Sequence, residues 1–156
     1  MYMAHQKIMK SGVITESFAK LLVLNPNDEM LVLTIGEYKA HPEKSFTPDL
    51  PGGLVEIADN ESEKDGAIRE TQEEAGIIVD PNKVYLAYSD THFYKDENKS
   101  VSGFLYVTHL DHTPDVTLSW EHVGYEWVAI KDVLALKDFR RFHKESIQYV
   151  ITNKLV

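Results

Sequence analysis

Three glutamates, Glu70, Glu73 and Glu74, crowd beside Arg69 in the segment GGLVEIADNESEKDGAIRETQEEAG, residues 52–76. Residues three and four apart are neighbours on a helix surface, and like charges at that spacing repel by roughly 0.2–0.5 kcal/mol per pair. Such a face either points harmlessly into water or gathers its acids for a purpose. Gathered, the three carboxylates make an oxygen-rich site suited to a hard cation, Mg²⁺ or Mn²⁺, and unsuited to a soft metal. Arg69 lies four residues before Glu73 and can orient it without neutralising the cluster. The Gly52-Gly53 turn ahead of the helix can bring a backbone carbonyl to the same ion. Taken alone, three glutamates read first as a solvated acidic face.

The elements that must hold these residues follow from the pattern of the chain. FAKLLVL (18–24) and MLVLTI (30–35) are apolar runs separated by the turn-forming cluster NPND, which predicts a β-hairpin. Residues 37–50 are polar, with two prolines and two aromatics, and read as a long loop ending in Pro51-Gly52-Gly53. Ser62 is an N-cap with Asp65 three residues on, Gly76 is the stop, and Ala67, Ile68, Thr71 and Ala75 form the less polar stripe of the helix between them. The acids are expected on the side away from Ile68 and Ala75. Strand-like runs follow at Val84–Tyr88, Gly103–Leu110 and Tyr125–Ile130. A closing helix behind Asp138 is marked by Phe139, Phe142, Ile147, Val150 and Ile151. Strands, helix, strands, helix: the order describes a mixed α/β or α+β domain.

Composition narrows the classes of function. A chain of 156 residues is read as one domain, 1–156, large enough for its own core. The net charge of −9 argues against a duplex nucleic-acid binder. An anionic ligand would need metal ions or a few well-placed cations. With no cysteine there is no thiolate nucleophile and no Cys-based metal site. No apolar run reaches the roughly 18 residues of a membrane span, and MYMAHQKIMKSG lacks a signal-peptide core, so the expected location is the cytoplasm.

The full spelling of the acidic segment changes the balance. Arg69-Glu70-Thr71-Gln72-Glu73-Glu74-Ala75-Gly76-Ile77 closely resembles the end of the Nudix box, G-x5-E-x7-R-E-U-x-E-E-x-G-U with U bulky and apolar, and Pro51-Gly52-Gly53 resembles its start. Counting back from Arg69, x7 lands on Glu61. Thr71 replaces the bulky U. Seven residues, not five, separate Gly53 from Glu61, so IADN carries an apparent two-residue insertion that leaves Glu56 and Glu61 without an assigned role. The resemblance implies an α/β/α sandwich with a mixed β-sheet between helices. It further implies a metal-dependent pyrophosphohydrolase acting on nucleoside diphosphates linked to another group. By match to the motif, Glu70, Glu73 and Glu74 would ligate Mg²⁺, with Mn²⁺ as the substitute, Gly53 would add its carbonyl, and Arg69 would hold a glutamate in place. Both the attacking water and the leaving phosphate need positive charge nearby, which divalent ions supply.

Outside the box, Glu121 in SWEHVGYEWVAI resembles an acid used in several Nudix subgroups, as metal ligand or as general base; Glu126 is its rival, and Glu70 the alternative on the helix. Trp120 and Trp127 are expected to pack. For a planar group of the substrate, Tyr38, Phe46, Phe93 and Tyr94 offer aromatic faces, with Phe46 and Tyr94 taken as the substrate-binding pair. Tyr94 lies 17 residues after Ile77, which resembles a tyrosine of diadenosine-polyphosphate hydrolases. The signatures associated with ADP-ribose and NADH hydrolases are absent. The expected substrate is a nucleoside triphosphate or modified nucleotide, with a dinucleoside polyphosphate as the second reading and a non-catalytic nucleotide sensor as the third. RRFHK (140–144) is expected to face solvent or the partner in a homodimer.

Overall fold

The computed structural model describes residues 5–9 and 12–156; part of the opening segment judged for a signal peptide lies outside them. The elements in chain order are β1 (Gln6–Ile8), β2 (Ile14–Leu24), β3 (Glu29–Ile35), β4 (Pro48–Asp49), β5 (Gly52–Leu54), α1 (Glu63–Ala75), β6 (Val84–Tyr94), β7 (Lys99–His109), β8 (His122–Ala129), α2 (Ile130–Val133) and α3 (Arg141–Thr152). The strands join in one mixed sheet of eight strands. β2 is its spine: it pairs in parallel with β7 from Ile14↔Lys99 to Leu24↔His109, and antiparallel with β5 through Phe18↔Leu54 to Lys20↔Gly52.

Helices cover both faces of this sheet, so the inner strands are apolar on both sides and read as continuous runs, not as alternation. Ala19, Leu21, Val23, Leu31 and Leu33 point to one core with Ala67 and Ala75 of α1. Leu22, Leu24, Met30 and Val32 point to the other, with Val133 of α2 and Phe142, Ile147 and Val150 of α3. The expected α/β/α sandwich is the architecture found.

The expected hairpin forms, but β2 and β3 pair only at Leu24↔Met30 beside the turn. Beyond it the strands part: β3 turns to β8 and β4, while β2 turns to β7 and β5. That divergence opens the sheet at the level of Pro51-Gly52-Gly53, where the carboxylates gather. Gly52 has φ +127, and a Cβ there would sit 2.1 Å from the Ala19 carbonyl oxygen, so only glycine allows β5 this close to β2. The last strand begins three residues earlier than expected, at His122, and Glu121 is the final residue of the turn before it.

Candidate active site

Ser62 caps α1 by accepting from the Asp65 amide, and Gly76, left-handed at φ +69, ends it. Thr71, at the position where the Nudix pattern asks for a bulky apolar residue, is fully buried; its hydroxyl donates to the Ala67 carbonyl at 2.7 Å, which satisfies the only polar group the substitution brings inside. The acids do not form one uniform outward face. At about 100° per residue, Glu74 lies only about 60° from Thr71, and it is 5% exposed, at the edge of the stripe that meets the sheet. Glu70 is partly buried and Glu73 projects outward, its side chain 58% exposed. The helix therefore presents a graded row of carboxylates from core to solvent.

The Gly52-Gly53 turn meets that row. The Gly52 N–H donates to Glu74 Oε2 at 3.1 Å, and a Cβ on Gly53 would lie 3.2 Å from the Glu70 carboxyl carbon, so the backbone approaches the acids as closely as it can. From below, the buried Lys20 ammonium donates to the carbonyls of Leu50 (3.0 Å) and Gly52 (2.7 Å), fixing the turn to β2. Burial pushes the Glu74 carboxyl up to about 8, aided by the Asp49 and Glu70 charges and resisted by Lys20 and the Gly52 amide. Burial also pushes Glu70 up, against the pull of Arg69.

Arg69 clamps more than Glu73. It donates to Glu61 through Nε (2.7 Å) and Nη2 (3.0 Å), and through Nη1 to Glu70 Oε1 (3.0 Å) and Glu73 Oε2 (3.1 Å). These bonds hold Glu61 below and Arg69 above their ordinary values. The two-residue insertion is absorbed as a single 3₁₀ turn, Ile57–Asp59, closed by Asn60 in a left-handed conformation. Glu61 then returns to Glu56, whose amide donates to Glu61 Oε1 at 3.0 Å. Glu56 thus braces Glu61, and Glu61 braces Arg69.

The segment before β8 delivers Glu121. The amides of Thr117 and Ser119 donate to the carbonyls of Ala75 and Glu74, two groups that the end of α1 leaves without helical partners, and the Gly36 amide donates to the Glu121 carbonyl at 2.8 Å. One ligand atom each of Glu74, Glu121 and His122 lies within 4.8 Å of the others. Glu126 faces away from this group: it pairs with Val32 inside β8 and is exposed.

Several residues fall elsewhere than expected. Tyr94 pairs with Lys99, and Lys99 with Ile14, whereas Gly53 pairs with Ala19. Five residues of strand separate those levels, about 16 Å at ordinary rise, so the fold sets Tyr94 apart from the carboxylates. Phe46 is exposed at φ +60 in the loop after β3, held by its amide to the Ile35 carbonyl. Trp127 packs on the α1-side core, but Trp120 is 90% exposed beside Glu121, contrary to the expected packing role. RRFHK does not simply face solvent: Phe142 and His143 are buried, and Arg140 and His143 both turn to Asp49. Asp49, itself buried, also accepts from Lys20 and lies 3.4 Å from His122 Nε2. Burial alone would raise Asp49, yet these donors hold it well below the carboxylate range, while burial pushes His143 down to about 4. Reading the sequence missed Asp49, His122, Lys20 and His143, four positions scattered over 124 residues. A histidine directly after Glu121 was the one available signal. An open cavity of about 480 Å³ lined by Lys44, Thr47 and Arg140 is separate: no carboxylate of α1 borders it.

The donor set fits a hard divalent cation: carboxylates of graded burial, a close backbone turn, and in Glu74 a buried acid beside a second carboxylate, Glu121. Residues 16–150 match the NUDIX domain family. The chain is 32% identical over 100 residues to the asymmetrical bis(5'-nucleosyl)-tetraphosphatase of Caenorhabditis elegans, covering 64% of this chain and 70% of the relative. Among solved structures it is similar to the MutT protein of Methanosarcina mazei Go1, at TM-score 0.70 and 28% identity over 90% of this chain and 96% of that one. It is also similar to a C. elegans Ap4A hydrolase in a binary complex, at TM-score 0.61 and 25% identity over 88% and 98%. The chain belongs to the NUDIX family and is a Nudix hydrolase.

Proposed function

We propose that this chain is a Mg²⁺-dependent pyrophosphohydrolase that cleaves a phosphoric anhydride bond in a nucleotide carrying at least two phosphates. The observation that carries the reading is the meeting of Glu70 and Glu74 with the Gly52-Gly53 turn on one side and the Glu121 segment on the other. Glu73, Glu74, Glu121 and the Gly53 carbonyl are the groups that would hold the cation, with Mn²⁺ as an alternative. When bound, the cation supplies positive charge to the phosphates and lowers the pKa of a water. Glu70 takes the proton of the attacking water: Arg69 holds its Oε1 and orients the carboxyl, leaving Oε2 to accept, and burial makes it a stronger base than a solvated glutamate. Glu61 and Glu56 keep Arg69, and through it Glu70, in register. Exposed Phe46 and Trp120 give a nucleobase two aromatic faces to stack on.

Of the two substrate readings, the tetraphosphatase relative favours a dinucleoside polyphosphate, and the nucleoside triphosphate stands second. We further propose a single working domain, 1–156, in the cytoplasm; among the described residues no helix is long and apolar enough to cross a membrane. The test is a panel of dinucleoside tri- and tetraphosphates, nucleoside triphosphates and nucleotide sugars with Mg²⁺, products resolved by anion-exchange chromatography. An asymmetric split of a dinucleoside tetraphosphate into mono- and triphosphate is the expected result. No turnover of any substrate, with nucleotide binding retained, would leave the sensor reading.

A further inference from the structure

We propose that His122 is a nitrogen ligand of a divalent-cation site shared with Glu74 and Glu121, and that it biases this site toward nitrogen-accepting cations such as Co²⁺ or Zn²⁺ over Mg²⁺. The inference rests on the metal-dependent reading above and adds a ligand of a different chemical kind. His122 is 6% exposed, the first residue of β8, fixed by its amide to the Ser119 carbonyl. Its Nε2 lies 3.4 Å from Asp49 Oδ2. Asp49 is ion-paired with Lys20 at 3.0 Å and with Arg140, so it is a carboxylate and can only accept. Nε2 therefore carries a hydrogen, and in the neutral ring the lone pair is on Nδ1.

Nδ1 is buried, and among the described residues it has no hydrogen-bond partner. A ring nitrogen of His122 lies within 4.8 Å of a carboxylate oxygen of Glu74 and of Glu121, and a buried lone pair beside two carboxylates calls for a positive occupant. A phosphate oxygen would meet lone pair with lone pair. A cation satisfies all three groups, and a carboxylate behind the imidazole is the usual companion of a metal-bound histidine, since it sets the tautomer and strengthens the nitrogen as a donor. Asp49–His122–cation reproduces that order. Imidazole suits Co²⁺ and Zn²⁺, whereas Mg²⁺ keeps to oxygen. Without a cation, the competing occupant among the described residues is a proton shared between Nδ1 and a neighbouring carboxyl, Glu74 or Glu121.

Long-range ¹H–¹⁵N spectra of the histidine rings in the whole chain distinguish the two. The expected result is the Nε2–H tautomer of His122 in EDTA and a displacement of its Nδ1 resonance on adding Zn²⁺; an Nδ1 resonance unmoved by saturating Zn²⁺ overturns the proposal. Calorimetric titration adds the selectivity. His122→Asn should weaken Co²⁺ binding by about tenfold or more, the low end of what disturbing a metal-bound histidine costs, and alter the visible Co²⁺ spectrum. Mg²⁺ binding should change by no more than about threefold. Equal weakening of both cations, or an unaltered Co²⁺ spectrum, overturns the histidine ligand while leaving the Mg²⁺-dependent reading intact. If neither Mg²⁺ nor Co²⁺ binds the wild-type chain, both fall. Should the variant fail to fold, the wild-type spectra decide.

Discussion

Replacing Glu74 with glutamine tests the site through stability, independently of any substrate. In the folded chain, burial foremost, with the Asp49 and Glu70 charges, raises this carboxyl from an ordinary 4.5 to about 8. An acid whose folded pKa is raised favours the protonated fold. Its contribution is fully present below pH 4.5 and is lost as pH climbs through 8. A separation of about 3.5 units is worth about 5 kcal/mol at 1.36 kcal/mol per unit. In EDTA, Glu74→Gln should therefore match wild type near pH 5 and exceed it by up to about 5 kcal/mol at pH 9. For a chain of this length that is a difference in Tm on the order of 10–20 °C. Mg²⁺ should then narrow the gap without closing it: at about a hundredfold excess over Kd it adds about 2.7 kcal/mol to wild type at pH 8 and little to the variant, against a lead of about 4 kcal/mol for the variant in EDTA at that pH. Urea unfolding at half-unit pH steps from 5 to 9, with EDTA or 10 mM Mg²⁺ as about the useful extremes, measures both effects. Parallel pH curves for the two proteins in EDTA would refute the buried-carboxylate argument. Equal Mg²⁺ stabilisation of both would refute Glu74 as a ligand.

Glu70→Gln should lower turnover by roughly a hundredfold or more with the fold intact, read as kcat in Mg²⁺ alongside an unchanged circular-dichroism spectrum. Glu121→Gln should raise the Mg²⁺ concentration for half-maximal rate about tenfold or more, whereas Glu126→Gln, out on β8, should leave both kcat and the metal requirement nearly unchanged; the same metal titration on the two variants separates them. His143 is held neutral by burial, down to about 4 from 6.5, so its contribution is present above pH 6.5 and lost as pH falls through 4. That is about 3 kcal/mol, and His143→Gln should flatten the urea midpoint between pH 6.5 and 4.

What the chain determines by itself is local or repetitive. The capping Ser62, the stop at Gly76, and the stripe of Ala67, Thr71 and Ala75 set α1, because a helix is specified by neighbours three and four apart. Hydrophobic runs marked β3 and most of β2 and β7. The spacing Arg69-Glu70-x-x-Glu73-Glu74 marked the acidic row, since one turn of helix is enough to bring those side chains together. Counted spacing reached Glu61 from Arg69 but left it without a role; their pairing is decided by the insertion closing as one short turn that returns Glu61 to the arginine. The burial of Glu74 did not follow from spacing. It depends on which side of the acidic row meets β5, and that is decided by Gly52 packing against Ala19, some thirty residues away in sequence. Nor did the surroundings of Asp49: Lys20, His122, Arg140 and His143 come from β2, β8 and the start of α3. Such a network has no period and no fixed spacing, and a buried charge tolerates its position only once all its partners arrive. The sheet brings them together by pairing β2 with β5 and β3 with both β4 and β8. Long-range strand register, set by the two cores and not by any local signal, is therefore what turns a legible row of acids into a site with a floor of fixed charge beneath it.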